Sequence, residues 1–401
     1  MKNELIEMGE KYSTRHVLAA PLLVNHGQGV YVYDQQGRAY LDMVSGISVA
    51  NFGHSHPRLI QTLIEQAQKI AIVPRLFHNE PLNRLLAWAC ELTGMQQALP
   101  MSTGAEIVET AIKVARKWGY LKKQVAIDAA EIIVCDNSFH GRTVTAVSMS
   151  TVEQYRHAFG PLTPGFRSIP FGDVTALAQA IGPNTVAFLV EPIQGEAGVI
   201  IPPAGYLTEC AKLCREQNVL FLCDEIQTGM GRTGKFLAVD HEQVQPDGIL
   251  LGKALGGGLL PISLLVGRQH WLEVLEPGDH GGTFGGNPLA AQVALTALTL
   301  LLENDLIEHV QRMGNYFIEQ LTRIESPAVK QVRGKGLLIA IELNTDAVDC
   351  QSVVGQLLEH GLLAINTRNH SIRLLPALIV ESEQIDAAVA LIEKVLKHST
   401  C

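Results

Sequence analysis

Two acidic residues directly follow an apolar run of the sequence, at the point where a strand would end. In VLFLCDEIQTGMGRTGKF, the apolar residues 219–223 are followed by Asp224 and Glu225. In parallel sheets with helices on both faces, ligands gather at the carboxyl ends of the strands, so an acid in this place is a candidate for ligand binding. The alternative interpretation is a helix cap or a loop anchor. For Glu225 the sequence indicates only a role in local structure.

A lysine follows a second apolar run. Lys253 lies in GILLGKALGGG, between a strand-like segment and three glycines. The stretch lacks the spaced upstream glycine and the following Ser or Thr of a nucleotide-binding loop. Burial and nearby cations lower the pKa of a lysine amine, and the neutral amine is the form that makes a Schiff base. The alternative is a lysine whose charge reaches solvent.

Three further segments supply groups that bind anions and aromatic rings. Residues 102–104 (STG) precede a helical pattern, and the free N–H groups of a helix N-terminus bind phosphate. Residues 138–143 (SFHGRT) add an aromatic ring, a histidine and an arginine, and Thr283 lies in a glycine-rich segment. Together with Asp224 and Lys253, these groups are the set that a pyridoxal phosphate site requires.

These residues need a framework that brings the ends of several strands together. From about residue 100 onward, apolar runs such as EIIVC, VAFLVEP, VLFLCDE and GILLGK alternate with helical patterns such as AEIVETAIKVARKWGY. Such alternation predicts a mostly parallel sheet that is covered by helices on both faces. Before it, GVYVYD and AYLDMV predict two short strands around the turn QQGR.

Composition limits the kinds of partner. The chain has 401 residues, a net charge of −9, 47% hydrophobic residues and 18% charged residues, which predicts a large packed core and neither nucleic acid nor an anionic membrane as a partner. Its apolar stretches are shorter than the ~20 residues that span a bilayer, and the first residues lack an apolar leader pattern. Seven cysteines without CxxC pairs indicate buried thiols, and we therefore expect a cytoplasmic protein. His54 and His56 have no third ligand at suitable spacing, so no metal site is expected.

The block LFLCDEIQTGMGRTGKF, followed downstream by LGKALGGG, resembles the class III aminotransferases. Within that class, the runs VEPIQGEAGVIIPPAGYL and HGGTFGGNPLA are most similar to ornithine aminotransferases, with acetylornithine aminotransferases second. The resemblance implies an α/β protein of PLP-dependent transferase fold type I, like aspartate aminotransferase, with a mostly parallel central sheet and a smaller α+β domain. It further implies a large cofactor domain over 45–295 and a small domain built from 1–44 and 296–401.

The resemblance also implies a role for each candidate residue. Lys253 is expected to form the Schiff base with pyridoxal 5'-phosphate and to move the substrate proton, while Asp224 pairs with the ring nitrogen. Thr283 is expected to reach the phosphate from the partner subunit of a homodimer with shared active sites. The full expected cofactor-binding set is Thr103, Gly104, Ala105, Phe139, His140, Asp224, Gln227, Lys253 and Thr283.

The substrate site follows from the same resemblance. Arg142 is expected to bind a substrate carboxylate, and Arg373 to bind a carboxylate of 2-oxoglutarate. Glu196 is expected to neutralise Arg373 when an ω-amino substrate occupies the site. Val17 and Ile47 occupy places where ornithine enzymes carry tyrosines, so the pocket is expected to lack two hydroxyl donors.

The expected reaction is transfer of the ω-amino group of ornithine to 2-oxoglutarate, giving glutamate semialdehyde and glutamate. N-acetylornithine or another ω-amino acid is the alternative donor. An aminomutase or racemase of the same fold would need no second substrate. A non-catalytic relative would be expected to lack Lys253 or Asp224, and both are present. A dehydrogenase would need a glycine-rich turn after its first strand, and the GGG that begins at residue 256 follows a different strand pattern.

Overall fold

The computed structural model describes residues 4–398 of the chain. Its strands are β1 (Val24–Gln28), β2 (Tyr31–Asp34), β3 (Ala39–Asp42), β4 (Gln97–Met101), β5 (Glu131–Cys135), β6 (Phe166–Ile169), β7 (Thr185–Val190), β8 (Leu220–Asp224), β9 (Gly248–Leu251), β10 (Ser263–Gly267), β11 (Val329–Lys335), β12 (Leu338–Leu343), β13 (Leu362–Leu363), β14 (Ile365–Thr367) and β15 (Ser371–Leu374).

The helices alternate with these strands through the middle of the chain. They are α1 (Glu4–Tyr12), α2 (Ser45–Ser48), α3 (Pro57–Lys69), α4 (Glu80–Thr93), α5 (Gly104–Leu121), α6 (Val144–Ser148), α7 (Glu153–Arg156), α8 (Val174–Ala180), α9 (Tyr206–Glu216), α10 (Gln269–Leu272), α11 (Pro288–Leu302), α12 (Leu306–Thr322), α13 (Cys350–Glu359) and α14 (Ser382–His398). Short 3₁₀ turns occupy Ala238–His241 and Lys253–Gly256.

The central sheet has seven strands in the order β4-β10-β9-β8-β7-β5-β6. Strands β9, β8, β7, β5 and β6 pair in parallel, and β10 is antiparallel to both of its neighbours. Strands β7 and β8 are buried along their whole length, as their continuous apolar sequences predict. The expectation of a mostly parallel sheet is confirmed.

Helices cover both faces of this sheet, and alternate residues of β8 show how. Leu220 and Leu222 belong to the core cluster that contains α5, whereas Phe221 and Cys223 belong to the cluster that contains α9 and α11. Successive side chains of a strand point to opposite faces, so one apolar strand serves two cores. The carboxyl ends of the parallel strands remain open between the two layers.

Two smaller four-stranded sheets flank the central one. The first has the order β1-β2-β3-β13, with β13 parallel to β3, so a C-terminal segment joins the N-terminal strands. The second has the order β11-β12-β15-β14 and is antiparallel throughout. Strand β15 carries Arg373.

No single helix in residues 4–398 is both long enough and apolar enough to span a membrane. Helices α11 and α12 pass that test only as a pair, by length and composition, and they are bent by 64° relative to each other.

Candidate active site

Strand β8 ends at Asp224, whose carboxylate is buried and held in one orientation. Its Oδ2 lies 2.7 Å from Nδ1 of His140, and its Oδ1 accepts a hydrogen bond of 3.1 Å from the backbone N–H of Ile226. Burial alone would lower the pKa of His140, but the hydrogen bond and the negative charge of Asp224 outweigh burial, so that pKa lies above its ordinary value. His140 therefore holds the Asp224 carboxylate in place.

Lys253 follows β9 and begins a tight 3₁₀ turn. Its φ is 43°, which is an uncommon backbone conformation for a residue with a side chain. Burial and the nearby charge of Arg373 lower the pKa of Lys253 to about 8. The amine therefore loses its proton far more readily than that of an ordinary lysine, which favours nucleophilic chemistry.

Helix α5 presents its N-terminus to the same region. Thr103 caps the helix through a capping box with Glu106: its hydroxyl accepts from the N–H of Glu106, and its own N–H donates to the Glu106 carboxylate at 2.7 Å. Both polar groups of Thr103 are thus already engaged. Among the described residues, the N–H groups of Gly104 and Ala105 donate to no acceptor, so they are the ones available to an anion.

A buried glutamate that sequence reasoning missed supports the loop after β5. Glu191, directly after β7, accepts hydrogen bonds from the backbone N–H groups of Phe139 at 2.8 Å and Gly195 at 3.3 Å. Burial raises the pKa of Glu191 to about 7. The signal was available, because an acid that ends an apolar strand is the same pattern that singled out Asp224.

Glu196 and Arg373 form an ion pair in which Arg373 is buried and Glu196 is partly exposed. Nη1 of Arg373 lies 2.6 Å from Oε1 of Glu196 and 3.4 Å from Oε1 of Gln227. Burial opposes ionisation of Glu196, but the charge and hydrogen bond of Arg373 outweigh burial and lower the pKa of Glu196 below its ordinary value. Gly195 lets Gln227 approach closely, since a Cβ at residue 195 would lie 1.9 Å from Oε1 of Gln227 and would displace that side chain.

These groups surround one cavity of about 220 Å³. The residues that line it are Gly104, Ala105, Phe139, His140, Gly141, Glu191, Glu196, Asp224, Ile226, Gln227, Thr228 and Lys253. Ile226, which we did not identify from the sequence, packs closely beside Gly104 and Gly252: a Cβ at either glycine would come within 3.3 Å of its side chain.

The cavity suits a planar, anionic cofactor with a ring nitrogen and a carbonyl group. It combines an aromatic ring, an oriented acid, an amine of lowered pKa and a helix N-terminus with free N–H groups. Unmatched buried polar atoms lie around it, namely Oγ of Ser138, Nε2 of His140 and Nε of Arg373. Buried donors and acceptors without partners are costly, and their concentration here indicates a place for a polar ligand.

Six sequence-predicted residues lie outside the cavity lining. Two of them were described above: Thr103 caps α5, and Arg373 contacts the lining residues Glu196 and Gln227. Arg142 lies against the ring of Phe139, with its Cζ 5.4 Å from the ring centroid. Thr283 is exposed. Val17 and Ile47 are 66% and 40% exposed, and Ile47 has a φ of 62°. The roles proposed for these residues stay predictions.

His54 and the cysteine residues have ordinary structural surroundings. Nε2 of His54 lies 2.7 Å from Oδ2 of Asp42, and the described residues contain no group of side chains that could hold a metal ion. The cysteines among the described residues are free, and most are buried.

Comparison with known proteins gives a consistent result. The family model for aminotransferase class-III matches residues 12–396. The chain is 49% identical over 392 residues to the ornithine aminotransferase of Geobacillus sp. strain WCH70 and 47% identical over 396 residues to that of Bacillus subtilis strain 168. The first alignment covers 98% of both chains, and the second covers 99% of this chain and 98% of its relative.

Solved structures agree with the sequence comparison. The crystal structure of ornithine aminotransferase from Toxoplasma gondii ME49 superposes with a TM-score of 0.97 at 42% identity, covering 99% of this chain and 95% of that one. Another structure of the T. gondii enzyme has PLP at partial occupancy in the active site. Acetylornithine aminotransferase from Elizabethkingia anophelis has a TM-score of 0.89 at 41% identity and covers 98% of each chain. The predicted fold type and cofactor are confirmed.

Proposed function

The chain belongs to the class III aminotransferases, which use pyridoxal phosphate, and we propose that it transfers the ω-amino group of ornithine to 2-oxoglutarate. The products are glutamate semialdehyde and glutamate. The observation that carries this proposal is the Glu196–Arg373 ion pair beside Lys253, in a chain 47–49% identical to ornithine aminotransferases along its whole length. When bound, the cofactor supplies an electron sink for the carbanion of the substrate.

Each polar residue around the cavity has a proposed task. Lys253 would hold the cofactor through Nζ, and once the substrate amine had taken its place on the cofactor, the released lysine amine would accept and return the substrate proton. Asp224 would pair with the ring nitrogen and keep it protonated, and His140 orients the Asp224 carboxylate. The free N–H groups of Gly104 and Ala105 hold the phosphate. Gln227 is proposed to meet the ring hydroxyl.

Phe139 and Arg142 complete the proposed site. Phe139 stacks on the ring, in a position that Glu191 supports through the Phe139 N–H. Arg142 binds the substrate carboxylate farthest from the reacting end. These contacts also exclude water from the reacting atoms.

The Glu196–Arg373 pair allows one site to accept two unlike substrates. While the pair is closed, the charge of Arg373 is neutralised and the site accepts the aliphatic end of an ω-amino acid. When 2-oxoglutarate enters, its carboxylate replaces Glu196 on Arg373. The charge on the guanidinium is therefore matched in both half-reactions.

N-acetylornithine is the second candidate donor. The observation that favours it is Ile47, whose apolar side chain cannot donate the hydrogen bond that a hydroxyl would give to an ornithine α-amino or carboxylate group. A site without that donor tolerates an acyl group more easily.

A donor panel with 2-oxoglutarate tests the function. Ornithine, N-acetylornithine and 4-aminobutyrate would each be supplied, and glutamate formation measured against donor consumption. We expect equimolar glutamate and the highest kcat/KM for ornithine. A product isomeric with the donor, formed without glutamate, would instead identify an aminomutase.

The assembly, domain division and location belong to the same proposal. Leu76 and Phe77 are exposed, and Leu76 lines a surface cavity together with Gly281 and Gly282. Phe284, which follows Thr283 in the chain, is also exposed. These exposed apolar side chains support a homodimer in which Thr283 reaches the partner's phosphate site. The sheets support a large domain over 45–295 with a small domain from both termini. Free buried cysteines suit the cytoplasm. Sedimentation analysis tests the dimer.

A further inference from the structure

Two guanidinium groups lie against one tyrosine ring beside the candidate site. The Cζ atom of Arg142 lies 3.7 Å from the ring centroid of Tyr155, and the Cζ atom of Arg368 lies 5.6 Å from the same centroid. The Tyr155 ring also meets Phe139 edge to face, with centroids 6.2 Å apart. An aromatic face attracts a guanidinium and restricts its orientation. Tyr155 therefore positions both cations next to an aromatic residue that lines the cavity.

Arg368 is anchored by backbone carbonyls of two loops near the cavity. Its Nη2 donates to the carbonyl oxygen of Asn137 at 2.7 Å, and its Nε donates to the carbonyl oxygen of Glu196 at 3.3 Å. These carbonyls fix the guanidinium without neutralising its charge. The remaining nitrogen, Nη1, is buried and has no hydrogen-bond acceptor. Arg368 thus keeps an unused donor in a fixed position.

Neither guanidinium is paired with a carboxylate within residues 4–398, whereas Arg333 and Arg373, with side chains 10% and 1% exposed, both have glutamate partners. The buried Arg232 also lacks a carboxylate in the described part of the chain, but each of its three guanidinium nitrogens donates to a protein oxygen, which Nη1 of Arg368 does not. Two like charges that share one ring repel each other. A bound carboxylate would relieve that repulsion and also accept hydrogen bonds from the unused donors. The arrangement is therefore complementary to an anion.

We propose that Arg368 is a second carboxylate-binding residue of the substrate site, acting with Arg142 across the shared Tyr155 ring. The inference rests on the proposed function, in which Arg142 binds the carboxylate remote from the reacting end of the substrate. It makes Arg368 a specificity-determining residue that favours substrates with a carboxylate at that end. Arg368 reaches the substrate site through its hydrogen bond to the backbone of Glu196, a residue that lines the cavity.

Binding of glutarate to the holoenzyme tests this inference without turnover. Glutarate has the length and both carboxylates of 2-oxoglutarate but lacks its carbonyl group. Arg368→Gln should raise the Kd measured by calorimetry about tenfold, because one charge-assisted contact is lost. Arg368→Lys keeps the charge and should recover part of the affinity.

Arg38→Gln is the matched control. Arg38 lies over the ring of Tyr40, at 5.0 Å, and donates to the carbonyl oxygen of Glu359, so it loses the same kinds of contact on the β2–β3 turn. Its glutarate Kd should equal that of wild type. If Arg368→Gln does not fold, Arg368→Lys and Arg38→Lys decide, and the first should raise the Kd at least about threefold over the second.

Two results would overturn the inference. One is a wild-type glutarate Kd in Arg368→Gln. The other is an equal loss of affinity in Arg368→Gln and Arg368→Lys with a matching fall in Tm, which would mean that Arg368 only ties the two loops together. The donor panel on the wild-type enzyme is independent of these measurements. Its failure would refute the proposed ornithine reaction while the glutarate result still stood.

Discussion

Replacing Lys253 should stabilise the cofactor-free protein while abolishing its reaction. Burial and the charge of Arg373 lower the pKa of Lys253 from an ordinary 10.5 to about 8. Each pKa unit corresponds to about 1.4 kcal/mol, so the charged amine costs the folded state about 3 kcal/mol near neutral pH. Lys253→Met removes that cost and keeps most of the side-chain volume. We therefore expect the free energy of unfolding at pH 7 to rise by up to about 3 kcal/mol.

The lowered pKa of Lys253 determines how the stability difference between wild type and Lys253→Met changes with pH. Between about pH 8 and pH 10.5, the unfolded chain retains a proton on Lys253 that the folded chain has released. Wild-type stability should therefore rise with pH across this window, relative to the variant, and the difference should vanish near its upper end. Below pH 8 the full penalty is present.

Urea unfolding of the cofactor-free proteins at several pH values measures the difference. Lys212→Met is the control, because Lys212 is well exposed and its removal should leave no comparable pH-dependent gap. With cofactor added, Lys253→Met and Lys253→Ala should both lose the absorbance of the lysine linkage and nearly all transamination. A stability gap that is the same at pH 7 and pH 10.5 would refute the buried-charge reasoning, and an active Lys253→Ala enzyme would refute the assignment of the lysine.

Three further predictions concern the residues around Lys253. Asp224→Asn should retain cofactor but slow the single-turnover half-reaction at least about 100-fold, since an amide cannot keep the ring nitrogen protonated; near-normal rates would exclude Asp224 as the ring partner. Ile47→Tyr should raise kcat/KM for ornithine relative to 4-aminobutyrate by roughly two- to tenfold, from one added hydrogen bond of about 0.5–1.5 kcal/mol; an unchanged ratio would mean that other residues hold the substrate. Glu196→Gln should lower kcat/KM for the ω-amino donor and lower KM for 2-oxoglutarate, because Arg373 is left unpaired. Because the pKa of Glu196 is lowered, its carboxylate neutralises Arg373 at every pH above the ordinary carboxylate pKa, and this neutralisation is lost only as the pH falls through the lowered value. The ratio of donor kcat/KM between wild type and Glu196→Gln should therefore be constant from pH 6 to pH 8. A ratio that varies over this range would contradict the reasoning.

Local sequence patterns were enough to locate the acid and the lysine of the site. Strands β8 and β9 are apolar throughout and stop at a polar residue or a glycine, so their ends can be read directly. Parallel pairing then places those ends at one edge of the sheet. The same reasoning applied to β7 would have found Glu191.

Other features depend on tertiary structure and could not be read from the sequence alone. His140 follows β5 and Asp224 ends β8, and the two residues are 84 positions apart in sequence. They meet because only β7 separates β5 from β8 in the sheet. The capping box of Thr103 is different, because its Thr-x-x-Glu spacing with Glu106 is a local pattern that the sequence already shows. Thr283 is exposed in a single chain, so its proposed role depends on a second copy.

The charges around Lys253 explain how one lysine can serve two half-reactions. Arg373 lowers the pKa of Lys253, whereas the negative charge of Glu196 raises it. If Glu196 simply moved away, the charge of Arg373 would act on Lys253 without compensation and lower that pKa further. In the proposed reaction, the carboxylate of 2-oxoglutarate takes the place of the Glu196 carboxylate on Arg373. The net charge near the amine is then the same with either substrate, so Lys253 keeps a proton affinity suited to both directions of proton transfer.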